Sequence, residues 1–212
     1  MISDLLSSEE FKKLEMEYKF LSRARNKVNE LEDASYIFFD TETTGLEPEK
    51  AEIIEIAAIK VKKKEIVKIF NTLIKPIYPI PSNITRINGI DNNMVMGHPK
   101  FDEAYKQFLE MVEDDCILVA HNAEFDIGFL NCHSKQKLKN DIVCSLKASR
   151  FALPNLGSHK LSSVAKYFGI PSENAHRALA DVEMLYQIWF KLLDKLRAKQ
   201  IITRDDLRKI PG

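Results

Sequence analysis

Two short segments of the chain are apolar throughout and stop abruptly on polar residues. "YIFF" runs into "DTETTGL" at positions 36–46, and "CILVA" runs into "HN" at 116–122. Tyr, Ile, Phe and Val favour a pleated, covered surface, so each segment predicts a short buried strand. The first is placed at Tyr36–Asp40. "EIIEIAAIKV" and "EIVKIFNTLIKP", joined by the charged turn Lys62-Lys63-Lys64, predict a hairpin, which makes the first three strands a meander. "DIVCSL" supplies a fifth strand.

Apolar positions three and four apart predict the helices. Phe11, Leu14, Tyr18, Leu21, Val28 and Leu31 mark one amphipathic helix over 9–33, and Phe101, Tyr105, Phe108 and Val112 mark another within 99–114. A helix is expected over 123–133, and "KLSSVAKYFGI" predicts a short one ending near Gly169. The stripe Val182, Leu185, Tyr186, Trp189, Leu192 and Leu193 predicts a long helix over 178–198. The order is three strands, helix, strand, helix, strand and two helices. It predicts an α/β fold built on a central mixed five-stranded sheet with helices on both faces. Residues 1–33 read as an N-terminal helical extension, 34–195 as the principal domain and 196–212 as a C-terminal tail.

Composition changes this picture little. The 212 residues suffice for one domain with a sizeable core. Lys plus Arg balances Asp plus Glu at 31 each, so net charge does not by itself point to a polyanion partner. It does not exclude one, because acids gathered around cations subtract from the total, and contact with a long polyanion is then expected to be local and weak. No segment has the run of about 20 apolar residues that spans a bilayer, and "MISDLLSSEEFKK" is acidic without an apolar core, so neither membrane insertion nor secretion is expected. Cys116, Cys132 and Cys144 form no C-x-x-C pair and fit reduced, mostly buried thiols in a cytoplasmic protein.

The chemistry begins where the strands end, because strand ends are where α/β sheets build sites. Side chains alternate along a strand, so Asp40 and Glu42 share a face. Two carboxylates side by side near a core need a cation between them, or one must hold a proton. Alone, the stretch fits a strand ending at the surface with both acids in water equally well. "HNAEFDIGFL" adds Asp126 in the first turns of a helix that Phe125, Phe129 and Leu130 anchor. "HRALADV" adds His176 and Asp181. Five residues turn a helix through about 140° beyond a full revolution. The two therefore meet in one site only if His176 precedes the helix and Asp181 is fixed within it.

These three motifs, "FFDTETTGL", "HNAEFDIGFL" and "HRALADV", with "ITRINGI" between the first two, resemble the DnaQ-like (DEDDh) 3′→5′ exonucleases, the family of the proofreading epsilon subunit of bacterial DNA polymerase III. The resemblance covers about residues 34–195 and implies an RNase H-like fold. It also implies that Asp40, Glu42, Asp126 and Asp181 are ligands to two Mg²⁺ or Mn²⁺ ions and that His176 is the general base. The polymer end is expected to lie against Thr43, Thr44, Gly45 and Leu46, with His121, Asn122 and Phe125 lining the pocket.

That assignment is chemically coherent. Two divalent ions roughly 3.5–4 Å apart activate water and stabilise a departing oxygen. Mg²⁺ and Mn²⁺ prefer carboxylate oxygen over thiolate, and a histidine titrates near neutrality. The expected activity is therefore hydrolysis at DNA 3′ ends to nucleoside 5′-monophosphates, in replication proofreading or repair. An exoribonuclease that trims RNA is the alternative, since the motifs do not discriminate, and a non-catalytic binding or scaffold module is the third reading. Lys60–Lys68, Lys135–Lys139 and Arg177 are further candidates for phosphate contact, with solvated surface as the competing role. A DNA polymerase subunit is the expected protein partner, tethered through residues 1–33 or the tail.

Overall fold

The computed structural model describes residues 12, 15, 16, 30–171 and 177–211. The sheet contains β1 (Ser35–Thr43), β2 (Ile53–Lys62), β3 (Glu65–Leu73), β4 (Ile117–Ala120) and β5 (Ile142–Cys144), in the spatial order β3-β2-β1-β4-β5. The first three strands run antiparallel, while β4 and β5 join parallel to β1. The helices are α1 (Ser82–Asn88), α2 (Asn92–Val95), α3 (Phe101–Leu109), α4 (Ala123–His133), α5 (Ser145–Ala152), α6 (Leu161–Tyr167), α7 (Ala178–Arg197) and α8 (Arg204–Arg208). This is the mixed five-stranded sheet that the pattern predicts. The helix expected over 9–33 falls largely outside the described residues.

Strand β1 is central and covered on both sides, which is why its sequence shows no polar alternation before Asp40. Tyr36 and Phe38 enter one core with Val182, Leu185 and Trp189 of α7. Ile37 and Phe39 enter the other with Phe108 of α3 and Phe129 of α4. The strand does not stop at Asp40. Its pairing with β2 continues through Asp40↔Ala57 and Glu42↔Glu55 to Thr43↔Ile53, with an irregularity after Glu42. Both acids therefore sit inside a regular strand, on the α7 side of the sheet with Tyr36 and Phe38.

The hairpin turn closes on Lys63 and Lys64, both left-handed with φ 51° and 67°, in the sense that matches the strand twist. At the far edge β3 is mostly exposed. After α6, Gly169 (φ 68°) reverses the chain, with Ile170 N–H bonding Ala165 O at 2.9 Å. A left-handed residue of this kind favours glycine. The reversal sends the chain back toward α7, which packs across β1 and β2. The tail also packs on the body. Leu207 is buried in the α7 core, Thr203 and Asp206 form a reciprocal capping box, and the Arg208 guanidinium holds both oxygens of Asp141 beside β5 at 2.7–2.9 Å.

Among the described residues no helix is long and apolar enough to cross a membrane. The cysteines are less sheltered than expected. Only Cys116 is buried, while Cys132 lies at the surface on the outer side of α4, where its thiol reaches Pro48 O at 3.4 Å.

Candidate active site

Three acidic residues reach one point from two elements. Asp40 and Glu42 project from β1, and Asp181 projects from the first turn of α7. One carboxylate oxygen from each lies within 4.8 Å of the other two. Asp126, on α4, arrives from the opposite face of the sheet and is 2% exposed. Its Oδ1 accepts the Thr41 backbone N–H at 3.0 Å and the Thr41 hydroxyl at 2.8 Å. The reason lies in the pairing. Parallel bonding of β1 to β4 ends at Phe38↔Val119, so the Thr41 N–H is left for another acceptor. Asp126 thus gives one oxygen to Thr41 and, though outside the group of three, is the neighbouring charge felt most strongly at Asp40.

Crowding governs the protonation of this cluster. Burial, then Asp126, Glu42 and Asp181, pushes Asp40 well above the ordinary carboxylate range. Burial raises Glu42 to about 7 against a hydrogen bond from Asn88, and raises Asp126 to about 7 against its bonds from Thr41. Without a cation, the folded protein holds protons here that the unfolded chain releases near pH 4. Unfolding then releases protons between about pH 4 and 7, so stability falls as pH rises through that window. A divalent cation reverses the sign by favouring the ionised form. The stabilisation by Mn²⁺, measured as a melting-temperature shift, is expected to be larger at pH 8 than at pH 5.5. An equal shift at both would contradict a shared, proton-holding cation site.

Two polar residues outside the expected set complete the site. Asn88, at the end of α1 and 4% exposed, donates Nδ2–H to Glu42 Oε2 at 3.2 Å, while its Oδ1 accepts Ile90 N–H at 3.0 Å. Glu55, opposite Glu42 on β2, is fully buried. It accepts two bonds from the Arg177 guanidinium, at 3.0 and 3.3 Å, and one from the Ala178 N–H at 3.2 Å. Arg177 is the N-cap residue of α7 and makes no side-chain cap of its own. Glu55 therefore caps α7 from the neighbouring strand, and this fixes Asp181 against Glu42. The signal was visible in "EIIEIAAI", where one acid interrupts a run that otherwise matches a covered strand. Asn88 lies in the "ITRINGI" segment without a role apparent from sequence.

The loop after β1 is held by its own side chains. Thr43 Oγ1 donates to Gly45 O at 2.6 Å, and Thr44 Oγ1 accepts Glu52 N–H at 2.9 Å. Both hydroxyls shape the turn. A Cβ on Gly45 would stand 3.1 Å from the Ala51 Cβ, a tight approach that would require residue 51 to give slightly. Leu46 is left 82% exposed beyond it.

Phe125 is half-buried on Phe129, with ring centroids 4.9 Å apart. His121 spends both ring nitrogens, Nδ1 on Ser145 Oγ at 2.8 Å and Nε2 on His159 O at 2.9 Å, and burial lowers its pKa to about 4. Asn122 takes the left-handed conformation (φ 71°) at the start of α4 without capping it, and its side chain lines the same cleft as Asp181.

Several candidate phosphate contacts are occupied elsewhere. Lys60 is buried on Met111 O and Glu113, Lys62 pairs with Glu113, Lys64 pairs with Glu32, and Arg177 is committed to Glu55. His133 Nε2 bonds Ala51 O at 2.9 Å, which gives that ring a local structural task. His176 lies outside the described residues.

The comparisons agree with this geometry. A family profile described as an exonuclease, of the RNase T type, matches residues 37–189. DNA polymerase III subunit epsilon of Aquifex aeolicus is 38% identical over 168 residues, covering 77% of this chain and 83% of that protein. The PolC-type DNA polymerase III of Bacillus subtilis is 37% identical over 187 residues, and there the chain spans 13% of the relative's length. Among solved structures, exonuclease X in complex with 5′-overhanging duplex DNA superimposes with a TM-score of 0.67 at 23% identity, over 81% of this chain and 99% of that one. Escherichia coli exonuclease I with a dA16 oligonucleotide superimposes at 0.63 and 22% identity, over 79% and 42%. These likenesses place the sheet and its helices in the RNase H-like fold, and the chain belongs to the DnaQ-like exonuclease family.

Proposed function

We propose that this chain is a metal-dependent 3′→5′ exonuclease that hydrolyses the last phosphodiester of a DNA strand and releases nucleoside 5′-monophosphates, in replication proofreading or repair. The observation that carries the reading is the meeting of Asp40, Glu42 and Asp181 within 4.8 Å, with two of the three driven toward protonation by their own proximity and burial. Such an all-oxygen donor set suits Mg²⁺ or Mn²⁺. Asp40, Glu42 and Asp181 would hold the ions, with Asp126 supplying further negative charge from behind Thr41. When bound, two such ions lower the pKa of water and stabilise charge on the phosphorus and the departing oxygen.

The chain's own residues divide the remaining work. Glu55 and Arg177 hold the start of α7, so Asp181 keeps its place as charge in the site changes. Asn88 orients Glu42. His176, one residue before the anchored Arg177, takes the proton of the attacking water, the P–O3′ bond breaks, and the 3′ oxygen regains a proton from solvent. Exposed Leu46 and half-buried Phe125 pack against the terminal bases.

Relatives named as DNA polymerase III subunit epsilon and as PolC-type DNA polymerase III support DNA as substrate, a polymerase as partner and a cytoplasmic setting. The name of the matching family, RNase T, keeps the exoribonuclease reading in contention. Product analysis on 3′- and 5′-labelled DNA and RNA strands, with and without EDTA, tests all of this at once. Stepwise shortening from the 3′ end to 5′-monophosphates, faster on DNA and abolished by EDTA, is expected. Products carrying 3′-phosphates, or turnover indifferent to EDTA, would overturn the proposal.

A further inference from the structure

A cleft of about 750 Å³ opens beside Asp181, off the carboxyl ends of β4 and β5. Its walls come from Asn122, from α5 with Leu146 and Arg150, and from the start of α6 with Lys160 and Leu161. Arg150 and Lys160 are exposed, and among the described residues neither has an acidic partner, although most basic side chains near the sheet are paired. Asp181 is the cleft's one lining acid among the described residues. In a chain of zero net charge, two cations without an acidic partner among the described residues, facing one space, form a local positive field beside the acidic centre. The walls are held together by half-buried His121, which also lines the cleft and whose two ring nitrogens tie Ser145 of α5 to the carbonyl of His159.

We infer that this cleft binds the single strand on the 5′ side of the scissile phosphate, with Arg150 and Lys160 on its phosphates and Leu146 and Leu161 offering apolar surface to its bases. The inference rests on the exonuclease reading above. Charge decides which part of the substrate belongs here. The nucleotide being released ends in a 3′ hydroxyl and carries no phosphate beyond the scissile one, so it gives two cations nothing to neutralise. The retained strand carries one phosphate per nucleotide. The acids span β1 and α7 next to β2, so a strand entering over β4 and β5 leaves the loop at Thr43–Leu46 for the released nucleotide.

The test compares Arg150→Gln/Lys160→Gln with the unaltered full chain on two substrates, a dinucleotide with a single phosphodiester and a dT10 oligonucleotide, in Mn²⁺ over a salt series. The ratio of kcat/KM for dT10 to that for the dinucleotide is expected to fall roughly tenfold. The slope of log KM for dT10 against log salt should flatten by about 1.4, the single-strand value for two phosphate contacts. A ratio and slope equal to those of the unaltered protein would overturn the inference while leaving the exonuclease reading intact. The same proportional loss on both substrates would also overturn it, since that points to damage at the centre. No hydrolysis of either substrate by the unaltered protein would instead strike the underlying reading.

Discussion

Asp181→Asn should fold normally and lose about a thousandfold in turnover. The amide keeps the shape of the side chain but removes one of three charges that a cation would bridge. A thousandfold corresponds to about 4 kcal/mol of transition-state stabilisation, in the range of the several kcal/mol that metal catalysis supplies. Losing that charge also relieves repulsion on Asp40 and Glu42, both of which Asp181 drives toward protonation. The metal-free variant is therefore expected to melt no lower than the unaltered protein at pH 8, and to gain much less from Mn²⁺. His176→Ala is the matched comparison. On the proposed mechanism it would remove the proton acceptor, at a cost of about 10²–10⁴ in rate, and it should take up Mn²⁺ nearly as the unaltered chain does. Calorimetric titration of the two variants separates the roles, and equal loss of Mn²⁺ uptake in both would contradict them.

Arg177→Ala should be the most destabilising single change near the site. Glu55 has no exposed surface, and without the guanidinium its carboxylate would keep only the Ala178 N–H. Stranding one member of a buried ion pair costs about 3–5 kcal/mol, and the partial exposure of Arg177 argues for the lower end. For a domain of this size, about 3 kcal/mol lowers the melting temperature by roughly 6–12 °C. Adding Glu55→Gln to Arg177→Ala should recover part of the loss, because a buried amide is cheaper than a buried charge. A melting temperature for Arg177→Ala within about 2 °C of the unaltered protein would mean that the helix start is held by something else.

The two effects bear on what could be read before the structure. Strand and helix positions were legible because covered strands and one-sided helices write their periodicity directly into the chain, as in 36–39 and 178–198. The extent of β1 was not, since Asp40 and Glu42 look like a strand terminus when viewed alone. Only the register with β2 shows that they continue it. The convergence of Asp40, Glu42 and Asp181 was expected from their motifs, but the bonding of one Asp126 oxygen to Thr41 was not. It depends on which N–H the neighbouring strand leaves unpaired. Lys60 looked like surface or a phosphate contact and is instead buried on Met111 O, 51 residues away, and on Glu113, a pairing that no local pattern encodes. Glu55 and Arg177 are 122 residues apart, and nothing in the spacing announces that they touch.

The approach of the acids from both faces of the sheet has a consequence for biosynthesis. Asp40 and Glu42 emerge first in translation, Asp126 after them, and Asp181 after Asp126. Asp126 is seated only after one layer has closed over the strands, and Asp181 only after the other has. A nascent or half-folded polypeptide would then lack the assembled group of acids, and any activity that depends on it would wait for the completed fold.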